Sequence, residues 1–248
     1  MNKFQRFFSW VPNFITSMNL LSGSIAVFLG IEGELGWAAI LIIAASVFDF
    51  LDGMAARLLK SYSEIGKQMD SLADLVSFGL APAAILLSML KMSMFGINLP
   101  TRVVDATFVQ WVFLLSALLV PVAGAFRLAK FNVDTRQSES FLGLPIPSNA
   151  LFFASLALIV QYGGNENIVH LILNRFNLVT SIILFSALMI SEIPMFSLKV
   201  KNLKWKDNQV RFLYLALCLV LIVLFQLYSL PLIIISYILI SVVRELAG

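Results

Sequence analysis

FDFLDGMAARLLKSYSEIGKQMDSLADLVS, residues 48–77, decides how this chain folds. It joins the polar end of one apolar run to the polar start of the next, and it carries four aspartates, Asp49, Asp52, Asp70 and Asp74. Spacings of three and four residues put Asp49 with Asp52, and Asp70 with Asp74, on single helix faces. The segment between the two pairs is short, so the flanking helices are expected to be antiparallel neighbours with all four carboxylates meeting in one cavity at a membrane boundary.

Outward from this stretch the chain is overwhelmingly apolar. Of 248 residues 60% are hydrophobic and 12% charged, with mean hydropathy +0.92. Soluble domains carry roughly 45–50% apolar and about 25% charged residues, so a soluble enzyme and a disordered chain are both excluded. A bilayer-crossing helix needs roughly 20 apolar residues. Runs of this kind cover 11–31, 37–59, 71–95, 108–128, 147–162 and 178–196, and two shorter runs cover 212–227 and 230–243. Pro231 follows Tyr228-Ser229-Leu230 between those two and breaks them into a hairpin, because proline removes a helix donor. The expectation is an all-α polytopic bundle of about eight transmembrane helices forming one domain: a catalytic six-helix core over 11–200 and a C-terminal hairpin over 201–248. Residues 1–10 mix Lys3 and Arg6 with Phe4, Phe7, Phe8 and Trp10, which reads as a retained amphipathic helix on the membrane surface.

Basic residues set the orientation. With the N-terminus in the cytoplasm, fourteen Lys and Arg fall on the cytoplasmic side and only Lys91, Arg102 and Arg175 on the other. That bias places the four aspartates at the cytoplasmic face. It fits a location in the cell inner (cytoplasmic) membrane. The basic stretch 199–211 is read first as an anchor for anionic headgroups.

The chemistry is narrowed by two counts. The single cysteine, Cys218, excludes an internal disulfide and a cysteine-rich metal site, and it is read as apolar packing. The single histidine, His170, is expected on an external surface loop, away from the aspartates. Any metal therefore takes oxygen ligands, and four converging carboxylates call for a divalent cation: Mg²⁺, Mn²⁺ or Ca²⁺. Helix-end charge accounts for Asp70 and Asp74 but not for Asp49 and Asp52, which sit at a C-terminal end where negative charge is disfavoured. The surrounding residues suit phosphate. Gly53 and Ala56 allow close approach, Arg57 offers a planar guanidinium, and Gly66 and Lys67 lie near a helix N-terminus. Gly66 alone reads equally well as a turn glycine. No phosphate-binding loop, dinucleotide fingerprint or nucleic-acid module is present.

The pattern Asp49-x2-Asp52-Gly53-x2-Ala56-Arg57-x8-Gly66-x3-Asp70-x3-Asp74 resembles in full the signature of the CDP-alcohol phosphatidyltransferases. Flanking segments resemble the phosphatidylserine synthase branch: Pro12-Asn13-x2-Thr16-x2-Asn19-x3-Gly23, Asp70-Ser71-Leu72-Ala73-Asp74, Ser77-Phe78-Gly79-x-Ala81-Pro82-Ala83, Arg127-Leu128-Ala129-Lys130-Phe131-Asn132-Val133, Gly143-Leu144-Pro145-x-Pro147 and Ile193-Pro194-x-Phe196-Ser197-x-Lys199. Lys130 stands where arginine is common in that branch, and Met69 where leucine is.

The resemblance implies transfer of a phosphatidyl group from CDP-diacylglycerol to serine, releasing CMP. It implies a Mn²⁺ or Mg²⁺ site, with two ions plausible, held by Asp49, Asp52 and Asp70 and faced by Asp74, which serves as general base. It implies that Thr16 and Asn19 lie near the cytidine, with Gly53, Ala56, Arg57, Ser63, Gly66 and Lys67 around the CDP phosphates. Arg127, Lys130, Asn132, Ser197 and Lys199 are candidates for binding the acceptor or a lipid phosphate. The Thr16–Asn19–Gly23 face also reads as helix-to-helix glue, and Arg127 as a snorkelling anchor. A homodimer is implied by the resemblance alone. The alternatives are a sister enzyme using glycerol 3-phosphate, inositol phosphate or choline, an archaetidylserine synthase, and a transporter or channel.

Overall fold

The computed structural model describes residues 10–61, 63–96, 106–133, 141–196 and 205–247. Of the surface helix expected over 1–10, all but Trp10 lies outside the described residues, as do Ser197 and Lys199.

Helix α1 (Val11–Glu32) starts with Pro12 in its first turn, where the missing N–H costs no internal bond. Gly33 ends it at φ +86°, its N–H capping the Gly30 and Leu29 carbonyls. Two residues later α2 (Leu35–Leu59) begins, so the two run antiparallel. Small residues such as Ala26, Ala38, Ala39 and Ala45, all fully buried, let helices approach closely where lipid supplies no hydrophobic drive. Lys60, left-handed at φ 51°, closes α2, and the Ser63 hydroxyl accepts the Gly66 N–H at 2.9 Å to open α3 (Glu64–Asp74). A π-helical turn (Leu75–Leu80) links α3 to α4 (Ala81–Phe95), giving one apolar rod over Glu64–Phe95.

The remaining helices are α5 (Phe108–Ser116), α6 (Leu119–Val133), α7 (Ile146–Tyr162), α8 (Glu166–Ile172), α9 (Arg175–Ile190), α10 (Trp205–Phe225) and α11 (Ser229–Ala247). The strands β1 (Phe141–Leu142) and β2 (Pro194–Met195) pair antiparallel. Gly143, at φ +76°, follows β1 with three backbone carbonyls of the α9 end around it, space that a side chain would fill. Phe152 of α7 stacks on Phe185 of α9 at 3.9 Å.

Among the described residues, five helical stretches qualify as membrane spans by length and composition, or six if α8 and α9, bent by 58°, count as one. This is fewer than the eight expected, for two reasons. Helix α7 has only 17 residues, and hydropathy runs unbroken through Asn208–Glu245. That last stretch nevertheless reverses direction. A 3₁₀ turn (Gln226–Tyr228) with Gln226 at φ 48° separates α10 from α11, and the Tyr214 hydroxyl donates to the Ile233 carbonyl at 2.9 Å. Nineteen residues of straight helix would hold those groups about 28 Å apart. The Tyr228 hydroxyl reaches the Gly163 carbonyl at the end of α7. Leu219, Val223, Leu224 and Val243 point outward as part of an apolar surface far beyond what a soluble protein exposes. The chain is an integral membrane protein.

Candidate active site

The last turns of α2 and the length of α3 bring the aspartates together. Carboxylate oxygens of Asp49, Asp70 and Asp74 all lie within 4.8 Å of one another. Asp52, expected among the metal ligands, sits beside this trio and accepts the Thr16 hydroxyl at 2.7 Å. Helix α1 supplies the support. Thr16 and Asn19 are buried at 3% and 0% exposure, and Asn19 Nδ2 donates to Asp74 Oδ1 at 3.3 Å. The Asn19 carbonyl accepts from the Ser77 hydroxyl at 3.0 Å, fixing α1 against the π turn that follows Asp74. Such turns are frequent at functional sites. The face expected to be either helix glue or ligand lining bonds α1 to its neighbours, and Thr16 also lines the cavity below.

A cavity of about 470 Å³ opens beside the carboxylates. Thr16, Asp52, Gly53, Ala56, Arg57, Ser63, Gly66, Lys67 and Asp70 line it, which gathers nearly all the residues expected around a nucleoside diphosphate. Gly53 has no neighbour within 4 Å of where a Cβ would sit, so its place is open to a ligand. Arg57 Nε donates to the Gly53 carbonyl at 2.9 Å, leaving the rest of its guanidinium for an anion. The α3 N-terminus adds a positive dipole end. Pro12, Asn13, Ser61 and Phe131 also line the cavity and were not expected there. Asn13 was legible, since it lies three residues before Thr16 on one face. Ser61 and Phe131 arrive through loop and interhelix geometry that spacing does not encode.

The acceptor candidates separate. Arg127 is 7% exposed, its Nε has no hydrogen-bond partner, and its guanidinium lies 6.0 Å from the Phe131 ring. It lines a second cavity of about 120 Å³ with Phe126, Lys130, Leu142 and Met189. Burial rules against a snorkelling role. Lys130 pairs with Glu192 at 2.7 Å. Asn132 is engaged in packing: its Nδ2 donates to the Ser71 hydroxyl at 2.9 Å and its carbonyl lies 3.5 Å from Lys67 Nζ. His170 is exposed as expected, but on helix α8 rather than on a loop, and Cys218 is half-buried on α10 against the apolar core, as expected.

A divalent cation fits the carboxylate trio. Asp70 Oδ1 is buried without a partner, as is Asn19 Oδ1, and the donors are hard oxygens.

A sequence model of the family described as CDP-alcohol phosphatidyltransferase matches residues 9–198. The chain belongs to that family. It is 34% identical over 152 residues to the CDP-diacylglycerol–serine O-phosphatidyltransferase of Bacillus subtilis (strain 168), covering 61% of this chain and 75% of that protein. A Helicobacter pylori (strain ATCC 700392 / 26695) protein of the same name is 32% identical over 200 residues, covering 78% and 74%. The archaetidylserine synthase of Methanothermobacter thermautotrophicus is 35% identical over 154 residues, covering 61% of this chain and 59% of that protein. As a CDP-alcohol phosphatidyltransferase, the chain carries the cavity and the carboxylate trio at the junction of α1, α2 and α3, inside the matched region.

Proposed function

We propose that this protein transfers the phosphatidyl group of CDP-diacylglycerol to the hydroxyl of serine, giving phosphatidylserine and CMP. The observation that carries the reading is the Asp49–Asp70–Asp74 trio beside a 470 Å³ cavity bearing Arg57, Lys67 and a helix N-terminus. An anionic diphosphate and the acidic trio repel each other, and the trio's family is metal-dependent. Asp49, Asp70 and Asp74 would hold a divalent cation with Asp52 alongside. When bound, it supplies charge neutralisation to the diphosphate and to the CMP leaving group.

The chain's own residues do the rest. Arg57, Lys67 and the α3 N-terminus hold the diphosphate oxygens, while Thr16 and Asn19 keep Asp52 and Asp74 oriented. Asp74 takes the proton from serine Oγ as that oxygen attacks the phosphorus bearing diacylglycerol. The bond from that phosphorus to the bridging oxygen breaks, and the electron pair leaves with CMP. Arg127 binds the acceptor's carboxylate, with Lys130 in the wall of the same small cavity.

The protein would cross the inner membrane eight times as one domain, as a homodimer, with the site facing the cytoplasm. The seventeen-residue α7 and the two arms of the hairpin count as spans in this reading. The archaetidylserine synthase relative makes an archaeal lipid core the alternative, because hydrocarbon tails leave little mark on a polar motif. The deciding experiment measures CMP release from CDP-diacylglycerol in detergent with serine, inositol phosphate, glycerol 3-phosphate or choline. Release that depends on serine supports the reading. Release that depends on one of the others, with none for serine, refutes it.

A further inference from the structure

The C-terminal hairpin lies beyond residue 198, where the family match ends, yet it takes hold of a segment inside that match. Phe196 follows β2 directly. Both of its backbone hydrogen-bonding groups are spent on α11: its N–H donates to the Ser241 hydroxyl at 3.4 Å and its carbonyl accepts from the Tyr237 hydroxyl at 3.1 Å. The Ser241 hydroxyl donates in turn to the Tyr237 carbonyl at 2.8 Å, closing the set. The rings of Tyr237 and Tyr214 lie 4.9 Å and 5.4 Å from that of Phe196. All four side chains are at most 7% exposed.

This clamp sits next to the small cavity of Arg127. β2 pairs with β1, placing Leu142 opposite Pro194, and Leu142 lines that cavity with Arg127. A buried hydroxyl bonded to the residue directly after β2 fixes that strand end, whereas the tyrosine rings alone would suffice to glue one helix to another.

We infer that Tyr237 and Ser241 are positioning residues: they fix the Pro194–Phe196 segment and the wall of the Arg127 cavity, and thereby set the affinity for the alcohol acceptor. The inference rests on the proposed acceptor role of Arg127. It assigns to the hairpin a share in substrate affinity rather than membrane anchorage alone.

The test compares three full-length variants: Tyr237→Phe, Ser241→Ala and Tyr214→Phe. The last is the internal comparison, since its lost bond to Ile233 lies within the hairpin and its ring stays. CMP release gives kcat and KM for CDP-diacylglycerol and for whichever alcohol the wild type uses, and thermal melting reports folding. One hydrogen bond has a net worth of up to about tenfold in an equilibrium constant. The expected result is a rise of about three- to tenfold in acceptor KM for Tyr237→Phe and Ser241→Ala, with KM for CDP-diacylglycerol unchanged and Tyr214→Phe like wild type. Acceptor KM at the wild-type value in both clamp variants overturns the inference. So does an equal change in all three variants that tracks a fall in melting temperature. Failure of the wild type to use serine would overturn the acceptor assignment and leave this comparison intact with the alcohol it does use.

Discussion

Replacing Gly23 by alanine should separate packing from propensity at the heart of the site. Alanine is the better helix former by about 1 kcal/mol, so propensity alone predicts a more stable α1. The structure predicts the reverse for activity. A Cβ at Gly23 would lie 2.5 Å from the Ser77 Cα and 2.7 Å from its Cβ, against about 3.5–4.0 Å for carbons in contact. The obstacle is partly backbone, held by the bond from the Ser77 hydroxyl to the Asn19 carbonyl, so α1 and the π turn must part by about 1 Å. Asn19 sits one turn before Gly23, and its 3.3 Å bond to Asp74 has no slack for that movement. Overpacking of this kind costs about 1–3 kcal/mol, which the propensity gain offsets in part. Misplacement by about 1 Å costs on the order of 10² in rate. The assay pairs CMP release with thermal melting, and Gly30→Ala on the same helix is the comparison. There a Cβ meets Ala84 Cβ at 3.0 Å and the Ile85 backbone nitrogen at 3.1 Å, a smaller overlap about three helical turns from Asn19, and turnover should stay within about threefold of wild type. Wild-type turnover in Gly23→Ala would refute the claim that close packing of α1 on the π turn sets the Asp74 geometry.

Further outcomes follow from the same geometry. Asp74→Asn keeps an oxygen for Asn19 but cannot accept a proton, so turnover should fall roughly 10²–10⁴-fold while CDP-diacylglycerol still binds; recovery on adding metal would make Asp74 a ligand only. Thr16→Val strips the buried Asp52 carboxylate of its hydroxyl donor at an expected cost of about 1–3 kcal/mol in melting experiments, and Ser, which keeps the donor, should restore most of it. Chelation should abolish CMP release and Mn²⁺ or Mg²⁺ should return it; full activity in chelator would remove the metal from the reading. Glu64→Cys, exposed at the start of α3, should react with an impermeant thiol reagent only from the cytoplasmic side in a Cys218→Ser background.

The four aspartates and their cavity-lining neighbours were legible because their placement lies in local spacing. Asp49 to Asp74 is a single helix–turn–helix, and the i, i+3 and i, i+4 rule fixes which faces meet. What that rule does not carry is the division of labour once helices dock. Asp52 and Asp49 share a face on α2, yet Thr16 on α1 takes Asp52 into a hydrogen bond, and Asp74 completes the trio in its place. Asn132 and Lys130 read as cations and amides awaiting a substrate. Docking of α6 on α3 gives the first to Ser71, and the end of α9 brings Glu192 to the second. The eight-span expectation met the same limit, since hydropathy records length and not direction. The 3₁₀ turn at Gln226–Tyr228 and the Tyr214–Ile233 bond show the last apolar stretch turning back. That reversal is what carries Tyr237 and Ser241 to Phe196, from a part of the chain whose plain apolar sequence gave no hint of a site. In a bundle built from small, interchangeable apolar residues, a few polar side chains determine which helices meet and in what register. They are also the groups available to bind substrate, so helix packing and site chemistry rest on the same atoms.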